Sequence, residues 1–257
     1  DDVRITTNYQ EDLVASSLYS VVHEGGHALY ELHVGRELSR TCLGGGVSMA
    51  IHESQSRFYE NIIGRSRAFC GVIYPWLREH FAPRLDDVSQ DAFYRMINKA
   101  QPSLIRTEAD ELTYCLHIMV RYELEKRMFA GELTAHDLPA EWNRLYEVYL
   151  GVDVPNDREG VLQDSHWASG SIGYFPSYAI GSAYGAQYLL EMQKDFDVFE
   201  AVRSGRLTKI NGWLEDKIWK YGCMKDPTPL FESVCGPFDP TCYTAYLRDK
   251  FTEVYGL

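Results

Sequence analysis

His23-Glu24-Gly25-Gly26-His27 is the densest concentration of chemistry in this 257-residue chain. Histidines four apart in a helix lie on one face, one turn from each other, so both imidazoles can reach one metal ion. The Glu beside the first His projects next to them and can take a proton from a metal-activated water. The pattern requires a helix. Leu18, Val22, Leu29 and Leu32 recur at helical spacing with no proline between Asp12 and Gly35, which predicts a helix over 12–35. Gly25 and Gly26 each cost about 1 kcal/mol against Ala inside such a helix, and the pair predicts that something approaches the backbone closely there.

A tetrahedral catalytic metal needs a third protein ligand and one open position. His52-Glu53-Ser54-Gln55 begins a second helical stretch, expected to run to Phe81 at most, with Phe58, Ile62, Ile63, Phe69, Ile73 and Leu77 on its buried side. Gly44-Gly45-Gly46 allows a tight return from the first helix. A Glu from a second helix is the logic of His/His/Glu zinc sites, which favours Glu53; His52 is the rival ligand.

The rest of the chain reads as almost wholly helical. Helices are expected over 89–99, over 106–130 closed by Gly131, and from Thr134 with Leu138, Trp142, Leu145, Val148 and Tyr149 on a buried face. Thr134 with Asp137 resembles a cap pattern. Residues 151–172, rich in Gly, Asp and Pro, read as a loop with room for one turn of helix. Helices resume over 176–194, 196–204, 207–221 and 240–254, and 41–50 is the best candidate for a short strand. There is no internal repeat or linker, so 1–257 is expected to form a single catalytic region.

Composition limits the classes of function. A formal charge of −12 argues against a nucleic-acid partner, because phosphate backbones call for basic patches. No run of 18 apolar residues exists to cross a membrane, and no signal peptide is visible at the start. The six cysteines form no CxxC pair, which disfavours a cysteine zinc site. Free thiols in a reducing cytoplasm are the expectation, with Cys115 serving in packing.

Five segments, in order, carry a resemblance to the thermostable carboxypeptidase family typified by carboxypeptidase Taq. Asp2-Val3-Arg4-Ile5-Thr6 is similar to its DxRxT motif, His23 to His27 to HExxH, and His52-Glu53-Ser54-Gln55 to HESQ. Ile105-Arg106-Thr107-Glu108-Ala109-Asp110 matches IRxxAD, and Gly160 to Trp167 matches GxxQDxHW. The run Gly173-Tyr174-Phe175-Pro176-Ser177-Tyr178 also resembles these enzymes. The resemblance implies an all-α, gluzincin-like fold with a helical catalytic cleft of the neurolysin/ACE kind. It implies metal ligation by His23, His27 and Glu53, with Glu24 as general base. The metal implied is zinc, with cobalt or another divalent ion as a substitute, and the protein implied is a homodimeric metallocarboxypeptidase of broad specificity. Family members are about twice as long and carry an HPF motif upstream of DxRxT, so the chain is expected to be the C-terminal half of a longer enzyme.

On that reading, the oxyanion that forms at the scissile carbonyl needs donors besides the metal. His166, Tyr174 and Tyr178 are the candidates. A free C-terminal carboxylate calls for an arginine, with Arg106 first and Arg4 second. The alternative for Arg106 is a structural network with Glu108, Asp110 or Glu111. Gln163-Asp164, Asp110 and Glu31 are candidates to orient a ligand imidazole from behind. Two other functions stand as alternatives: a zinc endopeptidase using the same residues, and a catalytically incomplete fragment acting as a binding or dimerisation module.

Overall fold

The computed structural model describes residues 2–9 and 11–257. Its elements, in chain order, are α1 (Val14–Leu32), α2 (Met49–Arg57), a π-helical segment (Phe58–Gly64), α3 (Arg67–His80), α4 (Gln90–Ile97), α5 (Tyr114–Phe129), α6 (Leu138–Leu150), α7 (Pro176–Asp195), α8 (Val198–Arg203), α9 (Leu207–Lys217), α10 (Pro227–Cys235) and α11 (Thr241–Tyr255). Short 3-10 turns at Arg36–Leu38, Arg106–Glu108 and Trp219–Tyr221 complete the list. The all-helical expectation holds, and there is no strand among the described residues. No described helix is long and apolar enough to cross a membrane.

The chain divides into two compact units. One comprises Asp1–Asn98 with Ile180–Leu257, and the other Lys99–Ala179.

In the first unit α1 and α2 touch backbone to backbone. A Cβ placed on Gly26 would lie 2.7 Å from both the Gln55 carbonyl oxygen and the Ser56 Cα. Nothing lies within 4 Å of the corresponding point at Gly25, so the close approach expected of the glycine pair occurs at Gly26 alone. Helix α7 also approaches α2 closely: a Cβ on Gly181 would lie 2.6 Å from the Glu53 Cβ. Tyr19 and Tyr30 of α1 are fully buried.

The second helix does not run unbroken to Phe81. It passes into the π-helical segment and stops, and Ser66 starts α3 afresh by accepting a hydrogen bond from the Phe69 N–H at 3.1 Å. Residues 41–48 are turns and bends rather than a strand. The N–H groups a strand would pair are taken by side chains: Glu31 accepts from Gly46 N–H at 2.9 Å and the Tyr30 hydroxyl from Val47 N–H at 3.2 Å.

The second unit is built on α5 and α6, whose core joins Val120, Leu124, Trp142, Leu145 and Tyr146. The helix expected from 106 begins only at Tyr114. Asp110 accepts from the N–H groups of Leu112 and Thr113 and from Gln101 N–H, which holds the preceding segment as a turn. The Thr134 hydroxyl donates to Asp137 at 2.6 Å, but α6 starts four residues later, at Leu138. The loop expected over 151–172 contains no helix and is tied down by its own polar side chains. Asp164 accepts from Arg106 Nε at 2.9 Å and Arg121 Nε at 2.7 Å. Gln163 Oε1 accepts from the Arg106 N–H and from Arg121 Nη2, both at 2.9 Å. The Trp167 indole N–H donates to buried Glu125 at 2.7 Å. Burial alone would raise the Asp164 carboxyl, but Arg121 and Arg106 hold it below the usual carboxylate range.

The two glycines of the first motif should respond oppositely to substitution. Gly26→Ala forces α1 from α2 and is expected to destabilise by roughly 1–3 kcal/mol, whereas Gly25→Ala gains helix propensity of about 1 kcal/mol in open space. Denaturant melts of the two variants check this; equal effects would remove the backbone contact as the reason for Gly26.

Candidate metal centre

The helical turn from His23 to His27 puts both Nε2 atoms on the face of α1 that meets α2. Glu53, 3% exposed, comes from the middle of α2 and inserts its carboxylate between them. His23 Nε2 lies 3.6 Å from Glu53 Oε2 and His27 Nε2 lies 3.8 Å from Oε1. One ligand atom from each of the three residues falls within 4.8 Å of the others, and no other such group of His, Cys, Asp or Glu occurs among the described residues. Ligands of a tetrahedral zinc sit about 3.3 Å apart at bond lengths of about 2.0–2.1 Å, so two imidazoles and a carboxylate at these separations fit a divalent metal in both chemistry and spacing. The Ser56 hydroxyl donates to Glu53 Oε2 at 2.9 Å and fixes the carboxylate from the side.

The outward nitrogens of the two imidazoles are held by different groups. His23 Nδ1–H donates to Glu60 Oε2 at 2.9 Å, and Glu60 also accepts from Arg57 Nη1 at 3.1 Å. Burial by itself would raise the Glu60 carboxyl, but Arg57, the His23 bond and Arg65 hold it below the usual range. His27 Nδ1 lies 2.9 Å from His52 Nδ1, and His52 Nε2 lies 2.7 Å from Glu31 Oε1. His52, the rival ligand, therefore stands behind His27 rather than in the group of three. Burial, with neighbouring His23, His52 and Arg57, lowers the His27 imidazole to about 3, leaving it neutral and ready to donate a lone pair. Glu24 lies half-buried on the same turn, and no hydrogen bond or ion pair among the described residues ties its carboxylate down.

The remaining candidates fall into other places. Arg4 is exposed and pairs with Asp2 at 2.5 Å. Arg106, His166, Tyr174 and Tyr178 gather within the second unit. His166 Nε2 is 3.0 Å from the Tyr178 hydroxyl, and the His166 ring centroid is 5.2 Å from that of Tyr174. The Arg106 guanidinium sits 4.7 Å from the Tyr178 ring centroid. Arg106 is buried in an ion-pair network, but its partner is Asp164 rather than Glu108, Asp110 or Glu111, and its Nη1 donates to the Tyr114 hydroxyl at 2.8 Å. Gln163 and Asp164 hold arginines, not a ligand imidazole. Of the expected outer partners only Glu31 stands near one, through His52.

Sequence reasoning missed Glu60, Arg57 and Ser56. Glu60 follows Glu53 by seven residues, two helical turns, which is a readable signal; the π-helical segment that carries it has none.

Comparison with known proteins identifies the family. The sequence profile of the family described as carboxypeptidase Taq (M32) metallopeptidase matches residues 1–251. Carboxypeptidase 1 of Bacillus subtilis is 44% identical over 256 residues, which cover 99% of this chain and 51% of that protein. Thermostable carboxypeptidase 1 of Pyrococcus furiosus is 43% identical over 252 residues, covering 97% of this chain and 50% of that one. Among solved structures, the M32 carboxypeptidase of Deinococcus radiodurans superposes with a TM-score of 0.95 at 41% identity, over 99% of this chain and 52% of that chain. The chain spans about half the length of the curated relatives it matches. Matched along nearly its whole length, the chain belongs to the carboxypeptidase Taq (M32) metallopeptidase family.

Proposed function

We propose that the chain carries the metal centre of a metallocarboxypeptidase that removes C-terminal residues from peptides. The observation that carries this reading is the convergence of His23 Nε2, His27 Nε2 and the Glu53 carboxylate within 4.8 Å, with Glu24 on the same helical turn. His23, His27 and Glu53 hold the metal, which is zinc on the support of the His/His/Glu donor set, with cobalt as a substitute. When bound, such an ion makes a coordinated water acidic near neutrality and polarises a carbonyl oxygen. Glu24 accepts the proton of the attacking water and passes it to the departing amine. Its untethered carboxylate on the ligand turn supports that role.

His166, Tyr174 and Tyr178 are the proposed donors to the oxyanion, on the support of the motifs they occupy and of their gathering in one cluster. Arg106, in that same cluster, is the proposed reader of the terminal carboxylate, and exposed Arg4 is the second choice. Residues 1–257 form a single catalytic region in this reading, a proposal supported by the order of the family motifs along the chain. Broad specificity and a homodimer are supported by family resemblance, and light scattering tests the dimer. A reducing cytoplasm is the proposed location, because a chain of this size needs no disulfide staples.

The decisive experiment is a paired digestion read by mass spectrometry, with one peptide bearing a free C-terminus and its twin amidated, each with and without a chelator. Stepwise loss of terminal residues from the free peptide only, abolished by the chelator, is expected. Internal cleavage of both peptides would instead establish an endopeptidase, and no cleavage despite bound metal would establish an incomplete fragment.

Two variants separate the roles of the central carboxylates. Glu24→Gln should keep its metal and lose at least 100-fold in turnover, on the scale of general-base catalysis of about 10²–10⁴. Glu53→Ala should lose metal itself, measured by elemental analysis after dialysis. Arg106→Ala, if it stays folded by circular dichroism, should raise KM for the free peptide more than it lowers kcat; unfolding would assign Arg106 to the network around Asp164 alone.

A further inference from the structure

We infer that His52 is a positioning residue for His27, anchored by Glu31, and that this two-residue relay sets the affinity of the metal site. The inference rests on the metal reading above and concerns groups that touch neither metal nor substrate.

The assignment of protons follows from geometry. Both Nε2 atoms face Glu53, so each ligand imidazole has only its Nδ1 left to carry a proton. A nitrogen–nitrogen contact of 2.9 Å between His27 Nδ1 and His52 Nδ1 needs one proton between them. His27 supplies it, and His52 Nδ1 accepts. The proton of neutral His52 then lies on Nε2 and is donated to Glu31 Oε1 at 2.7 Å. Gly46 N–H donates to the same oxygen at 2.9 Å and fixes the carboxylate at the end of the chain. Every bond points the same way, so the charge of Glu31 reaches His27 through an intervening ring and makes its Nε2 a stronger donor.

The surroundings hold His52 in this role. A Cβ on Gly46 would lie 2.5 Å from His52 Cδ2, and the buried Tyr30 ring lies 4.8 Å from the His52 ring, so the imidazole is closely packed. His52 and Glu53 are adjacent on α2 and project about 100° apart, so one cannot replace the other. One neighbour completes the ligand group while the other braces it. His23 is braced differently, by direct contact with Glu60, which also pairs with Arg57 and Arg65.

The test measures zinc affinity of the full chain by competition with a chromogenic chelator, together with thermal melts in excess chelator. His52→Ala should weaken zinc binding by about 10- to 100-fold, the scale seen when an outer partner of a ligand is removed. His52→Asn, whose carbonyl oxygen can accept from His27 Nδ1–H, should recover most of that loss. The melting temperature in chelator should differ little among the three proteins. Wild-type affinity in His52→Ala, or no recovery in His52→Asn, would overturn the inference. If His52→Ala does not fold, Glu31→Ala serves in its place: weaker zinc binding with a retained fold supports the relay, and unchanged affinity removes it. A His27→Ala control separates the two levels of the argument. If it too binds zinc normally, the metal reading itself fails; if it alone loses zinc, only the relay fails.

Discussion

The candidate metal centre depends on a contact that leaves no room for a side chain. At Gly26 the backbone of α1 rests on the backbone of α2, and at this separation the short Glu53 side chain lies between two imidazoles one turn apart. A single methyl group at residue 26 would open that spacing. Gly181 of α7 makes a second close contact with α2, at Glu53 itself, which is almost wholly withdrawn from solvent. Burying a carboxylate is costly unless its lone pairs are satisfied. Ser56 satisfies one oxygen, and the two imidazole nitrogens stand opposite the pair. Tight packing and electrostatic demand thus act on the same atoms.

Charge is buried in the second unit by a different arrangement. Asp164 sits between two arginines that are themselves buried, and Gln163 fills the donors left over. Buried ion pairs are retained more readily for fixing a geometry than for stability. Here the geometry fixed is that of a long loop with no helix of its own, from whose end His166 and Tyr174 project beside Tyr178. Arg106 belongs to this scaffold and to the aromatic cluster at once. That double membership joins the two motifs that stand sixty residues apart in the sequence.

Much of this is legible in the sequence. The four-residue spacing of His23 and His27 forces one face of a helix, and His52-Glu53 on a second helix supplies the carboxylate. What stayed hidden depended on tertiary contact. Glu60 reaches His23 from a π-helical turn, whose register no hydrophobic period reports. The glycine-rich stretch before α2 alternates like a strand, yet Glu31 and Tyr30 claim its N–H groups. Helix α5 starts late because Asp110 draws the Leu112 and Thr113 N–H groups into a turn. Helix α10 was not among the expected helices; it opens with Pro227 in its first turn, where proline gives up only a donor that is unpaired there anyway. His117, Arg121 and Glu125, spaced by four on α5, look like a solvated stripe; all three are buried.

The proposed ligands come from consecutive helices joined by a single loop. Closing a loop of that length costs little entropy, and contacts of short sequence separation are reached early in folding. The consequence is one of timing. During synthesis the ligand set can come together as a helical hairpin once Arg57 has left the ribosome, while the Gly181 contact that seals Glu53 waits for residues made much later. Metal capture can precede completion of the fold, and the last helices then close over a centre that is already assembled.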